Sequence, residues 1–164
     1  MSDSFRALGA NDRLALIGIG VVAVSLLLPW HGIMTGDYVK TPASAIGFIE
    51  VAIVLTLAAA VYLLVRAARD QPLPAPLHIG TLFALAGVWI AVLIAYRIFD
   101  RPDFTEFPGE RVALRYGIFI AFGGAALIIT GGLRRRRDEL AAERAARGRS
   151  DTKSKAGPED EAGE

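Results

Sequence analysis

The residues able to do chemistry in this chain are few, and most are charges set inside or beside apolar runs. Glu50 interrupts an apolar stretch at residues 43–65, Arg97 follows the third stretch, and Arg115 lies one turn past Arg111 near the start of the fourth. A carboxylate in an apolar setting is expensive, and a guanidinium compensates it with charge and paired N–H donors. The depths predict an intramembrane ion pair between Glu50 and Arg115, shared with Arg97, whose plainest role is to fix helix register. A second placement carries the helix on to Ala68 with Arg66 snorkelling, which leaves Glu50 among lipid headgroups. His31 and Asp37 fall after the first apolar run and His78 at the start of the third, on opposite sides of a membrane, so the two histidines share no metal. No HExxH, GxSxG, Walker or EF-hand pattern occurs. The lack of cysteine removes thiolate catalysis, disulfides and cysteine-ligated metals. Ser25, Ser44, Thr56, Thr81 and Thr130 form no polar stripe of the kind a conduction path needs. The expectation is a non-enzymatic chain with no catalytic residue, no cofactor and no metal.

The elements that must position these charges follow from composition. The chain has 164 residues, 53% hydrophobic and 21% charged, with a mean hydropathy of +0.41. The charges are segregated: residues 14–133 carry few, and the last thirty or so are almost all polar, charged or alanine. That is the arithmetic of a small membrane protein with a solvated tail. A formal charge of +1 excludes wholesale neutralisation of nucleic-acid phosphates. A bilayer core of roughly 30 Å takes about 20 apolar residues. Spans of that order fall at residues 14–30, 43–65, 77–96 and 112–133. Thr41 with Pro42 predicts a cap for the second, and Pro76 and Pro108 precede the third and fourth. The small-residue pair Ala43 and Ala45 lies well past the apolar run ending at Leu28, so the first span reads as uncleaved.

The fold class expected is an all-α membrane protein, four transmembrane helices in an antiparallel up-down bundle. With the N-terminus inside, Arg6, Arg13, Arg66, Arg69, Arg134, Arg135, Arg136, Arg137, Arg144, Arg147 and Arg149 are cytoplasmic, against Lys40, Arg97, Arg101, Arg111 and Arg115 outside. That bias places residues 1–13 and both termini in the cytoplasm.

Apolar burial does little between helices in lipid, so close packing of small residues must draw them together. The third span aligns Gly80, Ala84, Gly87, Ala91 and Ala95, and the fourth aligns Gly117, Ala121, Gly124, Ile128 and Gly131, with Gly123 and Gly132 alongside. Two such seams on consecutive helices predict that the third and fourth pack on each other. Trp30, Tyr38, Tyr96, Phe99, Phe104, Phe107 and Tyr116 fit an interfacial belt, whereas Trp89 lies inside the third span.

The tail, residues 134–164, is basic and then acidic. It is expected to stay helical to about Arg147, with Glu143 and Arg147 in the favourable order, and to be disordered from Gly148. Arg134, Arg135, Arg136 and Arg137 are expected against anionic headgroups, and the chain beyond Arg137 to be dispensable for stability.

At LLLPW, SAIGFIE and VALRYG the chain resembles a group of uncharacterised small bacterial four-span integral membrane proteins. Members carry Pro-Trp at the end of helix 1, an acidic residue early in helix 2 and Arg-aromatic-Gly at helix 4. The matching positions are Pro29, Trp30, Glu50, Arg115, Tyr116 and Gly117, with Tyr116 where tryptophan is frequent. The resemblance implies the four-span fold and no particular activity. Fifteen arginines against three lysines agree with a G+C-rich bacterial genome. The leading functional expectation is a structural or accessory envelope component of the bacterial cytoplasmic (inner) membrane. A small oligomeric transporter or channel with a polar site near Glu50 is second, and a membrane enzyme third. Expected partners are membrane lipids, with another membrane protein or a second copy, and no nucleic acid.

Overall fold

Proline and glycine decide where the helices stop and start. The computed structural model of the chain describes residues 9–33, 39–42, 47–69, 78–99 and 112–155. Among these residues are four helices, α1 Ala10–Ser25, α2 Phe48–Ala68, α3 Ile79–Phe99 and α4 Tyr116–Lys155, and three short strands, β1 His31–Ile33, β2 Val39–Lys40 and β3 Val112–Leu114. Of the residues singled out in the sequence, Arg6, Asp37, Tyr38, Ala43, Ser44, Ala45, Pro76, Arg101, Phe104, Phe107, Pro108 and Arg111 lie outside the described residues.

Pro29 has no N–H and disfavours helical backbone at Leu28, so α1 ends before the expected Trp30. The chain tightens instead, with Leu27 N donating to Val24 O at 3.0 Å and Leu28 N to Ser25 O at 3.1 Å. Trp30 is 1% exposed and folds back so that its Nε1 donates to Ser25 O at 2.7 Å. Trp30, expected from sequence in an interfacial belt, has its ring enclosed by protein, and the indole satisfies a carbonyl that the end of α1 would leave orphaned.

The expected cap at Thr41 is also corrected. Gly47 stands immediately before α2, and Glu50 Oε2 accepts from Gly47 N at 2.9 Å, so the helix starts where its own third residue can reach back. Val112–Leu114, expected in the fourth span, forms β3. Its reason is pairing: β1 is the central strand, antiparallel to both β2 and β3, with Gly32 opposite Val39 and Ala113. Three apolar residues are too few to carry a helical period, and β1 supplies their backbone partners. At its other end α4 passes through Arg147 and Gly148 to Lys155, beyond the expected stop and into the stretch read as disordered.

Packing centres on α4, which runs antiparallel between α1 and α3. Two stripes one residue apart serve the two neighbours. Gly117, Gly124 and Gly131 lie against α1 and its turn, with Gly18 opposite Gly124. Gly132 lies against Gly80 and Ala84 of α3, and Gly87 faces Ala125 and Ile129. One residue is about 100° around a helix, so the glycines Gly131 and Gly132 in succession open two faces at once. The seam on the fourth span was matched to the third; the structure gives it to α1 and the next stripe to α3. α2 packs on α3 and, over less surface, on α1.

The arrangement is inverted relative to a water-soluble core. Val51, Leu55, Leu85, Trp89, Val92 and Phe119 point outward, while Asp12, Ser25, His31 and Glu50 are buried. Outward aliphatic faces of this extent suit lipid. α2, α3 and α4 are each long and apolar enough to cross a membrane. α1 has 16 residues, about 24 Å.

Candidate functional site

Both ends of the helical assembly hold buried charge, and each end is built by residues far apart in sequence. At the sheet end, Glu50 is the third residue of α2 and Arg97 the third from last of antiparallel α3. Their side chains are 6% and 12% exposed, with Arg97 Nε 3.0 Å from Glu50 Oε1. The helix beginning at Phe48 matches the second placement considered from sequence, in which the span reaches Ala68; even so Glu50 is buried, by protein. Oε2 is held by the Gly47 N–H, whereas Oε1 faces the Arg97 charge without a hydrogen bond. A carboxylate has about four lone-pair sites, so this one keeps acceptor capacity.

The structure thus joins Glu50 to Arg97, the member named third from sequence. Arg115 is placed by its main chain, with its N donating to Trp30 O at 2.9 Å. Gly117 N donates to Pro29 O at 3.1 Å, and a methyl group on Gly117 would lie 2.7 Å from the Trp30 ring. Pro29, Trp30, Arg115 and Gly117, two short motifs over eighty residues apart, are therefore one junction. Tyr116 remains exposed.

Beside this junction a groove of about 460 Å³ opens between α1 and α2. Leu26, Leu27, Pro42, Glu50 and Val51 surround its sheet-end part, and Ala23, Val54 and Leu55 line it further along the helices. Glu50 is the one charged group among the described lining residues.

The tail end holds a second network that sequence reasoning missed. Asp12 is 8% exposed and is paired with Arg135. Arg135 Nε also lies 3.0 Å from Glu139 Oε1, and Glu139 Oε2 accepts from Gly80 N at 3.3 Å in the first turn of α3. Asn11 Nδ2 donates to Asp138 at 2.6 Å, and His78 Nε2 is 2.9 Å from Glu143 Oε1. Carboxylates at a helix N-terminus meet its unsatisfied N–H groups and its positive dipole end. Of the four consecutive arginines, then, Arg135 turns inward between α1 and α3, while Arg134, Arg136 and Arg137 are exposed. Arg135, named from sequence among the headgroup arginines, is thus held between Asp12 and Glu139, and the chain beyond Arg137, expected from sequence to be dispensable for stability, contacts α1 and the start of α3 through Asp138, Glu139 and Glu143. The readable signal was the i, i+4 spacing of Arg135, Glu139 and Glu143, which sets three charges along one helix face.

Among the described residues no group of three or more His, Asp or Glu could hold a metal ion. No protein-family model, no curated protein and no solved structure matches the chain.

Proposed function

We propose that the chain is a multi-pass integral protein of a bacterial cytoplasmic membrane, with four antiparallel spans and both termini cytoplasmic, acting as a non-enzymatic structural or accessory component of the envelope. In this reading α1 completes its crossing with the apolar turn through Trp30. The three membrane-competent helices and their outward aliphatic faces support the location. The observation that carries the function is where the charge goes. Glu50 with Arg97, and Asp12 with Arg135, tie helices to one another at the two ends. Such pairs make a fixed scaffold, with Arg134, Arg136 and Arg137 left to meet anionic headgroups. Purification in a gentle detergent followed by mass spectrometry tests it: a partner of constant stoichiometry is expected, and a lone monomer under all conditions counts against it.

The second reading is a small oligomeric transporter or channel. It is favoured by a buried carboxylate, Glu50, among the lining residues of a groove. A homo-oligomer that carries ions across liposomes, with the flux lost in Glu50→Gln, would replace the first reading by the second.

A further inference from the structure

We propose that Arg134 and Arg137 of α4 hold the head of one anionic phospholipid, its phosphate shared by the two guanidiniums and an acyl chain laid along Thr130, Ala126 and Gly123. The inference rests on the membrane reading above and assigns within it one site to two of the arginines, with Arg136 taking no part. Spacing puts the parts together: residues 123, 126, 130, 134 and 137 are three, four, four and three apart, which is one face of a helix, and all five are exposed. That face looks away from both packed neighbours. Gly131 and Gly132 meet α1 and α3, Arg135 is held between those helices, and Arg136 has its backbone against Gly80 on the α3 flank. Depth fits as well: residues 116–133 cover about 27 Å, so Arg134 is the first residue past a hydrocarbon core of roughly 30 Å.

The protein does not neutralise this charge. The carboxylates within reach are turned inward: Asp12 and Glu139 hold Arg135, Asp138 accepts from Asn11, and Glu143 meets His78. Among the described residues no carboxylate pairs with Arg134 or Arg137. Like charges one turn apart repel, and a phosphate between them relieves the repulsion while accepting charge-assisted N–H bonds from both. Beside them the apolar face is low. Gly123 has open space where a side chain would be, and the Thr130 hydroxyl donates to Ala126 O at 2.7 Å within its own helix. From Arg134 to Gly123 is about 16 Å, the depth of one leaflet, and exposed Phe119 stands just beyond.

Charge selects among lipid heads. Phosphatidylglycerol is net negative, whereas phosphatidylethanolamine and phosphatidylcholine carry the same phosphate beside a cation that Arg134 and Arg137 repel. Inorganic phosphate supplies the anion without a chain. The full chain, purified in detergent, is exchanged against each of the three lipids with identical acyl chains, and the retained lipid is counted by native mass spectrometry. Phosphatidylglycerol is expected to be retained at least about fivefold over either of the others. Arg134→Gln with Arg137→Gln is expected to abolish the preference, and Arg137→Gln alone to reduce it at least about twofold if the double variant does not fold. Arg147→Gln with Arg149→Gln removes as much charge further along α4, and Arg136→Gln removes it from the α3 flank; both are expected to keep the preference. Ala126→Phe raises the low face from a position that meets no other helix, and is expected to lower retention of phosphatidylglycerol. Equal retention of the three lipids, a loss in the Arg147 and Arg149 pair or in Arg136→Gln as large as in the Arg134 and Arg137 pair, undiminished retention in Ala126→Phe, or thermal stabilisation by inorganic phosphate equal to that by phosphatidylglycerol overturns the proposal. A chain that leaves the membrane fraction in alkaline carbonate without detergent would instead overturn the membrane reading.

Discussion

Gly18 of α1 and Gly124 of α4 face each other so closely that a methyl group on Gly18 would lie 2.7 Å from the Gly124 carbonyl oxygen. The obstacle is backbone, which cannot swing aside, so the helices would have to move apart. Gly20, two residues on, has open space where its side chain would be. We expect Gly18→Ala to lower stability by about 1 to 3 kcal/mol as an overpacked contact. Gly20→Ala should be neutral or stabilising by up to about 1 kcal/mol, through helix propensity alone. Thermal unfolding of both variants in detergent makes the comparison, and equal effects would show that α1 does not pack on α4 through this face.

Glu50 and Arg97 are expected to be energetically coupled. Glu50→Gln and Arg97→Gln should each cost about 1 to 3 kcal/mol, the price of a buried group left without its partner. The double variant should lose less than the sum. The same cycle with Arg115→Gln separates the pairing seen from the one expected from sequence: its coupling to Glu50 should be the smaller of the two. A larger value for Arg115 would reassign the pair.

Truncation after Arg137 removes Asp138, Glu139 and Glu143, and should destabilise the protein by about 1 to 3 kcal/mol, with Glu139 carrying most because Glu143 is half exposed. Truncation after Arg147 keeps all three and should leave stability unchanged. Indistinguishable melting of the two truncated chains and the full one would mean that these contacts are not made in the membrane.

Orientation can be read with single cysteines, since the native chain has none. A cysteine at Thr35 should be labelled by an impermeant reagent in intact cells, and one at Ser150 only after the membrane is opened. The reverse pattern would invert the topology.

Much of this was legible because apolar sequence makes charge conspicuous. Glu50 could be picked out as a lone carboxylate in a long uncharged run, and its need for a guanidinium followed. Which guanidinium did not follow, because the choice depended on where α2 and α4 begin. Those starts are set by the Gly47 cap and by pairing of Val112–Leu114 with β1, both tertiary matters invisible to hydropathy. Asp12 was overlooked for the opposite reason: between Asn11 and Arg13 it looks like any polar leader, and its partner Arg135 is 123 residues away. The glycine stripe of α4 was legible as a contact face. Its neighbour was misassigned because short connections favour sequential helices, whereas Gly131 and Gly132 in fact divide the helix between two partners.

That α4 is the partner of both α1 and α3 fixes an order in the protein's biogenesis. α1 meets α2 over little surface and meets α4 over much, so α1, made before α4, waits for it before most of its contacts exist. Until then Asp12 has no Arg135, Gly18 has no Gly124, and β1 lacks β3. The nascent chain must therefore hold α1, α2 and α3 in a loose state, and the arrival of residues 112–143 closes the sheet, the two glycine faces and the tail-end charges together. A chain stopped at residue 111 should consequently be far more sensitive to protease than one stopped at residue 147, although it carries α1, α2 and α3.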